Sequence, residues 1–132
     1  MNTTPAKSDY LLLFRGTEWH RELSPEEIQT KMTEWMAWFN RLREEGRCTG
    51  GQSLGSEGKV VSGRSVSDGP FAEAKEMVAG YFQLHVHDID EALAIAKECP
   101  SLAYGGTVEV RPLLARCRAS ELAEAQLAST DA

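Results

Sequence analysis

Several side chains that can exchange protons recur two residues apart in stretches that alternate like β-strands. His85 and His87 close the segment VAGYFQLHV, where alternation places both on one face with Tyr81. Glu109 and Arg111 share one face of the later segment TVEVRPL. Because histidine titrates near neutral pH, His85 is a candidate for proton transfer, and Glu109 is a second candidate. Hydrogen-bonded interface residues and cross-strand ion pairs are the structural alternatives for the same groups.

Metal binding is a further reading of these groups. His85 and His87 would need a third ligand, for which Glu109 is the candidate, and nothing in the sequence brings it near. The chain has three cysteines without a CxxC pair, which favours reduced thiols over a disulfide framework or a zinc knuckle. No GxGxxG, P-loop, GxSxG or HExxH motif is present. We therefore predict neither a metal nor a cofactor.

A second group of charges follows a predicted rigid turn in DGPFAEAKE. Asp68 opens the turn, and we expect it to accept backbone N–H bonds there, with acid–base catalysis as the alternative. Glu73 and Lys75 come next. In one reading these charges are solvated. In the other, a buried Glu73 with a raised pKa is a general acid or base and Lys75 binds a polar substrate group.

A third candidate position is the loop after the first predicted strand. His20 is an acid–base candidate there, and Trp19 could line an apolar pocket. Arg15, just before the loop, could join Arg111 in holding an anionic ligand, and Tyr81 is a further substrate-binding candidate.

Composition excludes some classes of protein for this chain. The chain has 132 residues and a net charge of −6, with no cluster of basic residues, which argues against a nucleic-acid surface. No apolar run approaches the ~20 residues of a membrane helix, and the N-terminus lacks a secretory pattern, so we expect a cytoplasmic protein that binds no membrane. We predict one domain over residues 1–114 and a C-terminal tail over 115–132, which forms a weak helix at 119–128 or is frayed.

The remaining elements are predicted from caps and periodicity. Asp9–Arg15 has the apolar run of a central strand buried on both faces. A capping box at Ser24 and Glu27 starts a helix over Pro25–Glu45, whose apolar stripe includes Met32 and Met36. Trp38 falls off that stripe, so we expect it to be singly exposed or to pack against something outside the monomer core.

The second half of the chain alternates strands and a short helix. Cys48–Leu54 and Lys59–Ser67 are predicted to form an edge hairpin. A strand over Val78–Val86, a helix capped by Asp88 or Asp90, and a strand over Thr107–Leu113 complete the order. The order predicts an α+β, ferredoxin-like βαββαβ domain with an antiparallel sheet and helices on one face. Its uncovered face predicts a homodimer with pockets between the sheet and its loops.

Specific runs of residues resemble a known family. They are DGPF-A-E-x-K-E at Asp68–Glu76, D-x-D-E-A-L at Asp88–Leu93, Cys99-Pro100, and V-E-V-R-P at Val108–Pro112. Together they resemble the DGPF branch of the YCII-related proteins. The resemblance implies a dimeric α/β barrel, and the broader superfamily includes isomerases, lyases and monooxygenases acting on small, often aromatic molecules. Genes of this branch often lie near extracytoplasmic-function sigma factors, which suggests a regulatory or stress context.

This sequence departs from the His–Asp pair proposed for the wider group. Its first predicted helix contains no histidine, and the end of the second reads Glu98-Cys99-Pro100 without an aspartate. We therefore do not transfer that mechanism. Two hypotheses stand: a homodimeric small-molecule-binding protein or cofactor-free isomerase- or lyase-like enzyme, and a non-catalytic dimeric regulatory or binding module.

Overall fold

The computed structural model describes residues 6–16, 23–55, 57–68, 77–115 and 117–130. Six strands, three α-helices and one 3₁₀ helix occur in these ranges. In chain order they are β1 Ser8–Arg15, α1 Pro25–Glu44, β2 Cys48–Ser53, β3 Lys59–Ser62, β4 Ser65–Asp68, β5 Val78–Val86, α2 Ile89–Ala96, the 3₁₀ helix Pro100–Tyr104, β6 Thr107–Pro112 and α3 Arg118–Thr130. None of the described helices is both long and apolar enough to cross a membrane.

Four strands form one antiparallel sheet in the order β2-β5-β1-β6. The first strand lies inside the sheet, where Leu12 faces Phe82 of β5 on one side and Val110 of β6 on the other. Helices α1 and α2 both contribute buried residues to the core on one side of this sheet. The α+β, ferredoxin-like fold predicted from the order of elements is confirmed.

The predicted edge hairpin is wrong in its pairing. Residues 48–53 do not pair with residues 59–67 but form β2, which pairs with β5 at the edge of the main sheet. The hairpin lies further along, where β3 and β4 pair with each other in a separate two-stranded sheet. The physical reason is a tight turn at Gly63, whose φ of 61° suits glycine and which lets the chain reverse between two short strands.

The helix boundaries follow the capping residues. Ser24 Oγ accepts the Glu27 N–H at 3.2 Å while the Glu27 carboxylate accepts the Ser24 N–H at 3.1 Å, so the predicted capping box is present. Helix α1 ends at Glu44, one residue before its predicted end, and Gly46 follows with a φ of 72°. In α2, the side chain of Asp88 accepts the Glu91 N–H at 2.9 Å, which identifies Asp88 as the cap.

Packing around α1 differs from the predicted stripe. Trp38 is 5% exposed and belongs to the core, contrary to both sequence-based readings of it. Its indole Nε1 donates to Glu98 Oε1 at 3.2 Å, so the ring is buried while its polar atom meets a carboxylate at the core's edge. Met32 and Met36 lie on the predicted inner stripe but are 46% and 51% exposed, because the buried face of α1 turns toward Trp38 and Leu42.

Strand β1 is buried on one face only, which corrects the prediction of burial on both faces. Leu12 and Phe14 are buried under the helices, whereas Leu11 and Leu13 are half-buried on the opposite face of the sheet. Since α1 and α2 cover one side of the sheet, the alternate residues of β1 have no second layer within this chain. We call that second side the open face. It carries Leu11, Leu13, Tyr81, Gln83, His85, Glu109 and Arg111.

Candidate functional site

A cavity of about 350 Å³ lies on the helix-covered side, between α1 and one end of the sheet. Its described lining comes from β1, α1, β2, β5, the 3₁₀ helix and the turn before β6. The lining residues are Phe14, Arg15, Gly16, Met32, Trp35, Met36, Phe39, Gly51, Gln52, Ser53, Ala79, Gly80, Phe82, Ser101, Tyr104 and Gly106. This volume lies at the small end of the roughly 300–1,000 Å³ that ligand pockets occupy.

Four aromatic rings form the inner wall of the cavity. The Phe14 ring packs edge-on against Trp35 at 4.8 Å between centroids and against Phe82 at 4.8 Å. Phe39 lies 4.9 Å from Phe82 on its other side. Edge-to-face pairs contribute about 0.5–1.5 kcal/mol each beyond their buried area, so these contacts stabilise the packed arrangement of the wall.

Two glycines allow the strands to approach closely where they meet this wall. A Cβ atom at Gly51 would lie 2.6 Å from the Phe82 ring and 2.6 Å from the Tyr81 carbonyl oxygen. A Cβ atom at Gly80 would lie 2.9 Å from the Gln52 carbonyl oxygen. Gly51 on the edge strand therefore makes room for the Phe82 ring, and a side chain at either position would displace the aromatic wall or the β2–β5 pairing.

The rim of the cavity combines half-exposed methionines with neutral polar groups. Met32 and Met36 extend from α1, and flexible thioether side chains adapt readily to a ligand. Across the opening, Tyr104 at the end of the 3₁₀ helix lies 4.9 Å from the Lys31 ammonium, measured to the ring centroid. The hydrogen bond from Lys31 to Tyr104, and then that to Glu34, raises the pKa of Lys31. These contacts connect the 3₁₀ helix to α1 beside the opening.

Three of the predicted site residues come together on the open face, and one of them, Arg15, also lines the cavity. Arg15 Nε donates to Glu109 Oε1 at 3.1 Å, and Arg111 donates to Glu109 Oε2 at 3.1 Å. The hydrogen bond from Arg111, together with the charges of both guanidinium groups, lowers the pKa of Glu109. Glu109 is therefore an ionised partner of two arginines, and its geometry is that of a sheet ion pair rather than of a general acid.

His85 has a carboxylate partner that the sequence analysis missed. Its Nδ1 lies 2.7 Å from Asp9 Oδ1, because Asp9 of β1 stands directly opposite it in the antiparallel register. Tyr81, two positions earlier on the same face, stands opposite Leu13. The backbone N–H of His87 donates to Glu91 at 3.2 Å. Within the described ranges, no three histidine, cysteine or acidic side chains are grouped as a metal site would require.

Asp68 is the remaining predicted site residue that the structure describes. Asp68 ends β4, where its exposed carboxylate pairs with Lys59 across the hairpin, and it does not line the cavity. His20, Trp19, Glu73 and Lys75 lie outside the described residues. Arg15 is thus the predicted site residue that also lines the cavity.

The aromatic wall is the part of the site that sequence reasoning missed. A usable signal was present: Trp35 and Phe39 are four residues apart on α1, and Phe14 and Phe82 are inward residues of neighbouring strands. Helical spacing and strand alternation predict that such residues share a core. Neither pattern predicts that the packed rings leave a cavity beside them.

The fold and the comparisons with known proteins together give the family. The architecture is that of a ferredoxin-like α+β domain. The family model of the YCII-related domain matches residues 9–115, and the chain therefore belongs to the YCII-related family. It is also 43% identical over 49 residues to a protein of Rhizobium meliloti (strain 1021) described as uncharacterized, a match covering 36% of this chain and 40% of that protein. The chain thus spans about two fifths of the length of this relative.

Proposed function

We propose that this chain is a small-molecule-binding protein whose ligand occupies the cavity between α1 and the sheet. The observation that carries the proposal is the aromatic wall of a cavity of about 350 Å³. Pockets of this kind, largely apolar with a few polar groups at the rim, are the usual form of a ligand site.

The same geometry favours binding over acid–base catalysis. Among the described residues of the lining, Arg15 and Tyr104 are the titratable side chains, and neither a carboxylate nor a histidine is found there. Of the acid–base candidates that the structure describes, His85 and Glu109 project from the opposite face of the sheet, and Asp68 ends the separate hairpin. His20 and Glu73 lie outside the described residues. A cofactor-free isomerase or lyase would need a proton donor or acceptor within reach of the bound molecule. The non-catalytic binding module is therefore the function that we favour.

Thermal-shift screening tests this proposal. A ligand that binds only the folded chain raises its melting temperature. Met36→Trp should fill the rim of the cavity without disturbing the core, because Met36 is half exposed, and should abolish the shifts seen with wild type. Leu93→Trp is the matched control, since Leu93 is 41% exposed on α2 and does not line the cavity. Shifts that survive unchanged in Met36→Trp would place the ligand elsewhere.

We further propose that two copies pair through their open faces. Leu11 and Leu13 are half-buried in the centre of this face, and the charged Arg15–Glu109–Arg111 group beside them is already internally paired. A twofold axis would bring each leucine pair against the same pair of the second copy, which is the usual arrangement of a homodimer. Sedimentation should give twice the mass of the chain, and a monomer at every concentration tested would refute the pairing.

A further inference from the structure

The two leucines at the centre of the open face have neighbours of opposite charge on β6. Arg111 stands beside Leu11, and Glu109 stands beside Leu13. Nη1 of Arg111 donates to Oε2 of Glu109 at 3.1 Å, and the Arg111 side chain is 65% exposed. A guanidinium has five N–H donors and a carboxylate about four acceptor positions, so both groups can bond a further partner. The open face therefore offers a cation and an anion on opposite sides of its centre.

Two copies that pair through their open faces can align their β1 strands in two ways. In aligned sheet packing, the strand directions of facing sheets stay within about 30° of each other. A twofold axis that runs along β1 makes the two β1 strands parallel, whereas an axis that crosses β1 in the plane between the sheets makes them antiparallel. Residues near the centre of the face meet different counterparts in the two arrangements.

The parallel arrangement brings no opposite charges together at the centre of the face. Gln83 and Tyr81 of β5 flank the two leucines on the side away from β6. With parallel strands, Arg111 of one copy faces Gln83 of the other, and Glu109 faces Tyr81. The ion pair of each chain therefore gains no partner of opposite charge from the second copy.

The antiparallel arrangement brings every charge of this group against its opposite. Each Leu11 then faces Leu13 of the other copy, and each Arg111 faces Glu109 of the other copy. Four charges of alternating sign thus lie together beside the leucines. Facing sheets lie about 10 Å apart, a distance that a long arginine and a glutamate side chain close when they extend toward each other. Such charge complementarity fixes the orientation of an interface more than it adds affinity.

We infer that two copies pair with their β1 strands antiparallel, so that Arg111 of each copy binds Glu109 of the other. This inference rests on the homodimer proposed above and specifies its contacts. In it, Arg111 keeps its bond to Glu109 of its own chain and adds a second one across the interface. The leucines bury apolar surface in the pair, and the charges select its orientation.

Mixing charge-reversed chains tests this orientation by sedimentation. Arg111→Glu should weaken self-association at least tenfold, because carboxylates then face each other at two places in the pair. Glu109→Arg should weaken it similarly, since guanidinium groups then face each other. At a concentration where each variant alone is monomeric, an equimolar mixture of the two should form a dimer, because opposite charges face each other again at both places.

Gln83→Arg is the matched control for the mixture. It adds a cation to the open face that faces position 111 when the strands are parallel but not when they are antiparallel. Mixed with Arg111→Glu, it should leave that chain monomeric. A dimer in this mixture, whether or not the first mixture also forms one, would overturn the antiparallel orientation.

Two further measurements keep this inference separate from the proposed homodimer. A wild-type chain that is a monomer at every concentration refutes the homodimer and this inference with it. A wild-type dimer that Arg111→Glu does not weaken keeps the homodimer but refutes the orientation. If Arg111→Glu does not fold, Arg111→Gln replaces it as the milder variant: it should weaken the dimer several-fold, and an unchanged dimer would refute the orientation.

Discussion

The two faces of the sheet put the same strands to different uses. On the helix-covered face, Phe14 and Phe82 pack into an aromatic cluster that also forms the wall of a cavity. On the open face, Leu13 and Tyr81 of the same two strands and Glu109 of β6 are half-buried, and one of the three is charged. Neighbours in sequence therefore differ in what surrounds them, while their backbone conformation is the same.

The reactive side chains and the cavity therefore lie on different faces of the sheet. On the open face, Arg15 pairs with Glu109, and Asp9 lies within hydrogen-bonding distance of His85. The volume that can hold a molecule lies on the other face and is bounded by apolar rings. Reactive residue types are thus a poor guide to the position of the cavity in this fold, and packing is the better guide.

The sharpest test of the two faces compares adjacent residues. Phe82→Ala removes a ring that contacts Phe14, Trp35, Trp38 and Phe39, and should lower the free energy of unfolding by about 3–5 kcal/mol. Tyr81→Ala, one position earlier and on the open face, should lower the free energy of unfolding by clearly less. Urea denaturation of both variants measures the difference, and equal losses would show that the faces do not differ in this way.

The open face is tested by placing a charge at its centre. Leu13→Arg adds a cation between Tyr81 and Glu109, and a charge buried in a pairing surface costs several kcal/mol. We expect the dimer proposed above to dissociate at least a hundredfold more readily, as measured by sedimentation over a range of concentrations. Leu93→Arg, on the exposed surface of α2, should leave the mass unchanged. A Leu13→Arg variant with the mass of wild type would exclude the open face as the interface.

A smaller loss of stability is expected from a change at the N-terminus of α1, the helix that covers one face of the sheet. Ser24→Ala removes the side-chain acceptor for the Glu27 N–H and should lower the free energy of unfolding by about 1 kcal/mol. Ser65→Ala, in the exposed hairpin, should change it by less than about 0.5 kcal/mol. Thermal denaturation of both variants provides the measurement. A loss in Ser24→Ala no larger than that in Ser65→Ala would mean that the capping box does not hold α1 in place.

The smallest effect concerns pH and the open face. The hydrogen bond from Arg111 and the charge of Arg15 lower the pKa of Glu109, so the folded chain binds this proton less readily than the unfolded chain. Its contribution to stability is therefore present above the ordinary glutamate pKa of about 4.3 and is lost as the pH falls through the lowered value. Wild type should exceed Glu109→Gln in stability at about pH 6, and the two should converge as the pH falls through the lowered pKa of Glu109. A difference that persists in acid would point to lost packing instead of lost charge.

Local signals predicted most of the fold. The capping box at Ser24, the Asp88 cap and the alternation in β5 each act within a few residues, so they can be read from the sequence. The partner of β2 could not be read in this way. Its pairing with β5 depends on the close approach of Gly51 to Phe82, which are 31 positions apart in the numbering.

The site was harder to predict than the fold. Sequence reasoning found Arg15, His85 and Glu109 because their side chains are chemically active, and the structure pairs Arg15 with Glu109 and places His85 beside the Asp9 carboxylate. The cavity depends on how rings from α1, β1 and β5 fill space, and volume left between packed residues has no signature in a single sequence. Trp38 shows the same limit, since its ring packs against rings from three elements and its Nε1 donates to Glu98, which lies beyond α2.

The place of β1 inside the sheet has a consequence for how the chain folds. Its two neighbours are β5 and β6, so Leu12 pairs with Phe82 and Val110, both from the second half of the chain. Strand β1 therefore has no partner until β5, which ends at residue 86, has been synthesised, and its second partner follows only with β6. Both pairings close long loops. Chains with such distant contacts fold slowly, and β1 should be the segment that chaperones encounter exposed during synthesis.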